Sequence, residues 1–397
     1  MRRHIAFIGR PGTSHLNPTL PWVAELVRRG HRVTYAVPDP WADLVQGAGA
    51  RFLPLPGTGP PRGGEKGRRA LREAGPDLVA MITDLLLTSA ERELPLLREA
   101  FAADPPDVVC YLANSLAGAA LAALLGVPAV QIRPSYAANE HYTPLQEFVP
   151  DPERLAASSA AAEARVREFT SALGVTGTLG TVLTRVPHEL CLVCVPREFQ
   201  YAGDTFDDRY VFVGPSDYTR ADSGSWKPPA ADTPLLFISL GTILNKNPEF
   251  FRLCIDAFGD TGRHVAMAVG DGVDPAELGR VPENFEIRPS FPQLDVLEHA
   301  DVFVTQTGMN STMEALHRRV PTVAVPETPE QKANARRLRE LGLGVTLEER
   351  TAPALREAAL AVHRDEDIRA NLADMAESCR AAGGATAAAD AIEQLMT

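Results

Sequence analysis

Residues 301–335 read DVFVTQTGMNSTMEALHRRVPTVAVPETPEQKANA. Val302, Phe303 and Val304 form an apolar run of strand length. Thr307, Gly308, Met309 and Asn310 follow as a turn, and Ser311 and Thr312 stand where a helix begins. Ala315 and Leu316 open its apolar stripe. A second strand, Thr322 to Val325, ends at Pro326 and feeds a polar loop. The first N–H groups of such a helix have no partner within it, which makes a ready anion site. Open α/β sheets bind ligands at this end of their strands. A βαβ unit with no ligand is the alternative reading of the stretch taken alone.

The segments around it repeat the same alternation. Leu235 to Leu240 is a strand, Gly241-Thr242 a turn, and Pro248 to Phe258 a helix. His264 to Val269 and Phe285 to Ile287 are further strands, and the last 40 residues are helical, broken at Gly383-Gly384. The first half has its own series. HIAFIG (4–9) is a strand, RPGTSHLNP a turn, and Asn17-Pro18 a helix start ahead of Leu20, Val23, Ala24 and Val27. Strands follow at 31–37, 107–111, 127–132, 189–195 and 210–213. Two α/β domains with parallel sheets are therefore expected. The proposed division is 1–215, a linker at 216–233 (SDYTRADSGSWKPPAADT), 234–380, and a helix at 381–397 that returns to the first domain. Residues 54–76, rich in Pro, Gly and Arg, read as a surface loop, either solvated or folding over a substrate.

Composition narrows the function. The chain has 397 residues, too many for one ordinary core. With 39 basic and 51 acidic residues its formal charge is −12, which disfavours non-specific nucleic-acid binding. Five cysteines do not suggest a disulfide framework, and Cys191 and Cys194 read as strand packing inside LCLVCV. No signal peptide or membrane-spanning run is read, so a cytoplasmic protein is expected. The nine histidines show no metal-ligand spacing.

The first strand's turn lacks GxGxxG, so a dinucleotide is not expected there. Ser239-Leu240-Gly241-Thr242 and Gly308 to Thr312 could together hold a diphosphate through N–H and hydroxyl groups, without a basic side chain. Glu314 suits ribose hydroxyls, or simply favours the helix dipole. Glu330-Gln331 suits the hydroxyls of a sugar, or simply starts a helix. His15, between the first strand and helix, is the best general-base candidate, or a histidine tied to backbone. Tyr136, His141 and Tyr142, in PSYAANEHYTPLQEF, either line an organic acceptor's pocket or form a packed loop.

The segment SFPQLDVLEHADVFVTQTGMNSTMEALHRRVPTVAVPETPEQKANA resembles the nucleotide-sugar motif of the inverting glycosyltransferase family 1. It is most similar to the bacterial macrolide and antibiotic glycosyltransferases. The resemblance spans the chain: HIAFIGRPGTSHLNPTLPWVAELVRRGHRVTYAVPD, FVGPS, LLFISLGTI and GGATAAADAIE also carry it. It implies a GT-B fold, two facing Rossmann-like domains with a deep cleft. The acceptor would bind the N-terminal domain and the donor the C-terminal one. The nucleotide sugar would be a co-substrate, with no metal or other cofactor.

By this resemblance His15 matches the base that deprotonates the acceptor hydroxyl. Gln293 matches a residue near nucleobase and ribose, and Glu314 the ribose-binding carboxylate. Ser311 and Thr312 match the phosphate-proximal pair, with Gly308 and Asn310 in the same turn. Thr242 matches a residue near the phosphates and the catalytic centre, and Glu330-Gln331 matches the pair holding sugar hydroxyls. Three positions depart from the pattern. Gln306 replaces a histidine used on the diphosphate, and a glutamine cannot become cationic. Ser290 replaces a stacking tryptophan, which shifts base binding to Phe291, Gln293 or another residue. Leu112 stands where the base's acidic partner belongs, and Asn114, two residues on, could hold the ring tautomer instead.

The implied reaction moves a sugar, UDP-glucose favoured and dTDP-sugar the other option, to a hydroxyl of a macrolide, polyketide or aromatic compound. A catalytically weakened or auxiliary protein of the same fold is the alternative. Neither nucleic acid nor membrane insertion is expected among its partners, and a homodimer is compatible with the reading.

Overall fold

The computed structural model describes residues 2–57, 76–175, 179, 189–216, 226–241 and 246–397. The chain divides into two compact units. One holds the described residues up to 216 together with Cys379–Thr397, and the other holds those from 226 to 378.

The first unit runs β1 (His4–Ile8), α1 (Thr13–Leu16), α2 (Leu20–Arg28), β2 (Arg32–Pro38), α3 (Ala42–Gly47), β3 (Arg51–Leu55) and α4 (Pro76–Phe101). It continues through β4 (Val108–Leu112), α5 (Leu116–Leu125), β5 (Ala129–Arg133), α6 (Pro152–Ala172), β6 (Leu190–Val193) and β7 (Tyr210–Phe212). The strands form one parallel sheet in the order β3-β2-β1-β4-β5-β6-β7. Both faces are covered, so β1 and β4 are buried along their whole length. Alternation along β1 divides the two cores. Ala6 and Ile8 pack with Leu86, Ala90, Leu97 and Leu116, whereas Ile5 and Phe7 pack with Trp22, Val23 and Leu26.

The second unit runs β8 (Leu235–Ser239), α7 (Pro248–Phe258), β9 (His264–Ala268), β10 (Phe285–Arg288), α8 (Gln293–Leu297) and β11 (Val302–Thr305). Then come α9 (Met309–His317), β12 (Thr322–Ala324), α10 (Pro329–Glu340), β13 (Gly344–Thr346), α11 (Ala352–Arg364) and α12 (Glu366–Ala381). Its parallel sheet has the order β10-β9-β8-β11-β12-β13. Phe237 stacks on Phe303 between adjacent strands, with ring centroids 5.0 Å apart. The last helix, α13 (Gly384–Leu395), packs on α2 of the first unit.

Four local readings change. The helix expected from Asn17-Pro18 is two helices. α1 closes on itself through His15 N–H to the Gly12 carbonyl, and α2 starts at Leu20 with Pro21 in its first turn. The helix expected at Ser311 begins two residues earlier, at Met309. Residues 51–55, partly assigned to the surface loop, form the edge strand β3, where Pro54 is tolerated. β13 is three residues long, too short to show a period. Residues 58–75 of that loop and 217–225 of the linker lie outside the described residues.

Small residues let α13 sit close, and Ala388, Ala389 and Ile392 are fully buried. An ion-pair cluster borders them: Arg29 reaches Glu25 at 2.8 Å, Asp390 at 2.5 Å and Glu393 at 2.7 Å. Glu393 also meets His31 Nε2 at 2.7 Å; His31 and Arg29 hold its carboxyl below the usual carboxylate range, and Arg28 and Arg29 do the same to Glu25. These pairs lie at the edge of solvent, which screens them, so they contribute less than the apolar contact. Ile392→Ala should therefore cost about 2–5 kcal/mol, the usual range for truncating a buried aliphatic side chain. Arg29→Ala should cost much less, and urea unfolding of the two variants checks the ranking.

Candidate functional site

The loops at the C-terminal ends of β8, β10, β11 and β12 carry most of the predicted residues of the second unit. β11 is followed by Gln306, Thr307 and Gly308. The residue in the left-handed region here is Thr307, at φ 58°, while Gly308 at φ −59° is the N-cap of α9. A fully buried, β-branched residue rarely adopts that conformation, which costs about 1–2 kcal/mol. It is held by its surroundings. Asn334, fully buried on α10, donates its amide to the Thr307 carbonyl at 2.8 Å. The Thr307 hydroxyl lies 2.9 Å from the Gln331 carbonyl and 2.6 Å from its neighbour's, Gln306.

Three predicted residues converge on one patch. Gln293 opens α8, and its side-chain amide donates to Ser311 Oγ at 3.1 Å and to a Glu314 carboxylate oxygen at 2.6 Å. Ser311 and Glu314 are half-buried, three apart on one face of α9. Thr312 turns the other way. It is 1% exposed, and its hydroxyl has no hydrogen-bond partner, so it lies in the core rather than beside Ser311. Asn310 is half-buried in the first turn. Ser290 is exposed, just before Phe291. The Phe291 ring is already engaged, edge-on to Phe237 at 6.1 Å and under the Arg288 guanidinium at 5.1 Å. Ser239 ends β8 and accepts the Gly241 N–H at 3.4 Å. Thr242 lies outside the described residues.

Glu330 and Gln331 occupy the first turn of α10. Thr328 and Gln331 make a reciprocal capping box, which the run TPEQ encodes. The Gln331 side-chain Oε1 accepts the N–H groups of Glu327 and Thr328 at 2.8 and 3.0 Å. Its amide nitrogen therefore donates to the buried Gln306, 3.4 Å from Oε1. Gln331 starts the helix and orients a neighbouring glutamine at once. Glu330 is exposed beside it.

In the first unit, His15 sits on α1, just past the end of β1, and is half-buried. Its Nδ1 lies 3.2 Å from the Pro11 carbonyl. A carbonyl only accepts, so this contact is a hydrogen bond donated by the ring Nδ1–H. Asn114, suggested for this orienting task, follows β4, and its Oδ1 has no hydrogen-bond partner. The Pro11 carbonyl that meets Nδ1 lies one helical turn from the ring. Leu112 is buried in the sheet and supplies no charge.

Tyr136 and Tyr142 are 3% and 4% exposed, in a cluster with Phe199 and Tyr201. They adopt the packed-loop alternative, because rings from the segment after β6 fill the space around them. His141 is exposed at the rim, 3.8 Å from Glu140.

Sequence reading missed Thr307, Asn334, Arg10 and Glu93. Asn334 lies on the same face of α10 as Leu338, so a polar residue on an apolar stripe was the available signal. Glu93 likewise stands in the buried row Leu86, Ala90, Leu97 of α4. Its carboxylate meets the Arg10 guanidinium at 3.2 Å, both side chains being almost fully buried. Burial pushes Glu93 up to about 7, against the pull of Arg10, and lowers Arg10. Among the described residues no three His, Cys, Asp or Glu side chains gather as a metal site, and no helix is long and apolar enough to cross a membrane. All five cysteines are buried free thiols.

Two measurements follow. Asn334→Ala strands the buried Thr307 carbonyl and should lower unfolding stability by about 1–3 kcal/mol, read in urea. Folded Glu93 holds a proton between pH 4.5 and about 7 that the unfolded chain releases. Its contribution to stability therefore falls as pH rises through that window. The melting temperature of the wild type, taken relative to Glu93→Gln, should drop between pH 5 and 8.

Known proteins resemble this chain along its length. A family model, the erythromycin biosynthesis protein CIII-like C-terminal domain, matches residues 252–395. Demethyllactenocin mycarosyltransferase of Streptomyces fradiae is 38% identical over 402 residues, covering 99% of this chain and 87% of the relative. The NDP-glycosyltransferase YjiC of Bacillus subtilis (strain 168) is 39% identical over 395 residues, covering 99% and 97%. The crystal structure of the kitacinnamycin glycotransferase superposes with a TM-score of 0.86 at 33% identity, over 100% of both chains. Two parallel sheets and likeness along the whole length lead to one assignment. This chain is an enzyme of the GT-B glycosyltransferase family, related to the bacterial macrolide and antibiotic sugar transferases.

Proposed function

We propose that this enzyme is an inverting glycosyltransferase that moves a sugar from UDP-glucose, or a dTDP-sugar, to a hydroxyl of a macrolide, polyketide or aromatic natural product. The observation that carries the reading is the hydrogen-bonded Gln293–Ser311–Glu314 patch beside the start of α9. The Glu314 carboxylate accepts from ribose hydroxyls, and Gln293 holds it in place for them. Ser311 and the N–H groups of Gly308 to Asn310 receive the diphosphate, as helix starts do. Gln306 adds a neutral donor, kept in orientation by Gln331. Glu330 accepts hydroxyls of the sugar, which favours a fully hydroxylated hexose.

His15 takes the proton of the acceptor hydroxyl on Nε2. The hydroxyl oxygen bonds to the anomeric carbon as the bond to the diphosphate breaks, and that electron pair leaves with the diphosphate. Attack from the opposite face inverts the centre. The Pro11 carbonyl fixes the tautomer of His15 and gives the imidazolium only a dipole, a weaker support than a carboxylate. The acceptor belongs to the first unit, with Asn114 and His141 offering polar groups to it.

His15→Ala should lower kcat by about 10²–10⁴, the usual worth of a general base, with UDP affinity unchanged. Glu314→Ala should weaken UDP binding about 10–100-fold, as loss of a charged hydrogen bond does, read by calorimetry. The donor is identified by screening UDP- and dTDP-sugars and reading product mass. No glycosylated product from any of them, across macrolide, polyketide and aromatic acceptors, would refute the reading.

A further inference from the structure

We infer that the buried Arg10–Glu93 ion pair is the positioning device for His15, anchoring the segment whose carbonyl holds the base in its working tautomer. The inference rests on the reading of His15 as the base. It begins from a cost. Arg10 is 2% and Glu93 3% exposed, and they share one hydrogen bond of 3.2 Å. Arg10 Nε and Glu93 Oε2 have no hydrogen-bond partner. Their neighbours on α4 are Ala90, Leu94 and Leu97, all apolar. A buried pair so thinly hydrogen-bonded adds little stability over apolar residues of the same volume. What it supplies is direction: a guanidinium next to one carboxylate has one favoured place, whereas an apolar side chain slides.

That direction is passed along a stiff path. Arg10 precedes Pro11, and proline fixes its own φ and restricts the residue before it. Once the Arg10 side chain is anchored, the Pro11 carbonyl has little freedom. Gly12, at φ 124°, then turns the chain into α1, whose third residue, His15, returns its Nδ1 to that carbonyl. Tyr35 pins both ends of the same segment. A Cβ on Gly9 would lie 2.5 Å from its ring, and Thr19 meets its hydroxyl at 2.9 Å. With Leu112 in place of a carboxylate, the Pro11 carbonyl orients the base. Any drift of residues 10–12 would release the ring to its other tautomer, with the proton on the nitrogen that must accept one.

The test is made on the full enzyme at pH 8, where Glu93 is ionised. Glu93→Gln, Arg10→Met and the apolar pair Arg10→Met/Glu93→Leu are compared with wild type. The tautomer of His15 is read from its ring ¹⁵N shifts, kcat and both KM values from turnover, and folding from thermal melts. Wild-type His15 should be protonated on Nδ1. In each single variant the ring should become a mixture of tautomers, kcat should fall at least tenfold, and donor KM should stay within twofold. The double variant should melt near the wild type yet keep the mixed tautomer and the low kcat. It decides the matter if the single variants do not fold.

An unchanged His15 ring signal in the folded variants overturns the inference, whatever happens to kcat. A mixed tautomer with full kcat would uphold the positioning and refute His15 as the base, as would an active His15→Ala enzyme. The two failures are thereby distinguished.

Discussion

A parallel strand can be followed by another only through a crossover, so each strand ends at the same edge where the next helix begins. Everything functional here follows from that constraint. Arg10 and His15 follow β1, Asn114 follows β4, Ser239 follows β8, Gln306 follows β11 and Glu330 follows β12. Each lies just past a strand fixed in buried sheet, so the core sets where its backbone stands. The sheets are expensive to alter, being buried on both faces. The loops at their ends are where chemistry can vary.

On the proposed reading, the edge also explains how an acidic protein binds a doubly charged leaving group. With a formal charge of −12, no general field draws an anion in. Attraction has to be local and to come from N–H groups, hydroxyls and amides. Such donors act only at short range and correct angle, so their backbone must be held firmly. The left-handed Thr307, tied down by Asn334 and Gln331, does this in the second unit, and the segment from Gly9 to Thr19 is held in the same manner in the first. In both places buried polar groups hold a loop whose conformation apolar packing alone would not specify.

Much of the site was legible because its parts are close in sequence. Ser311 and Glu314 share a helix face by spacing alone, and TPEQ announces a capped helix. Gln293 could be named as a site residue, but its bond to Glu314 joins two helices 21 positions apart. Thr312 and Ser311 are neighbours of like chemistry, and only the start of α9 decides that one faces the core. Tyr136 and Tyr142 were ambiguous because their partners, Phe199 and Tyr201, lie some sixty residues away.

By itself the sequence determined the alternation of strands and helices, since apolar periodicity and glycine turns are local properties. It also determined the two-domain division and the residue types gathered at the strand ends. Tertiary structure alone decided which of those residues act together. His15 meets the Pro11 carbonyl one turn away, and Arg10 meets Glu93, brought there by a helix 78 positions downstream of the histidine. Such pairings rest on distances across the core and on which buried group is left to satisfy which other. No local pattern carries that information.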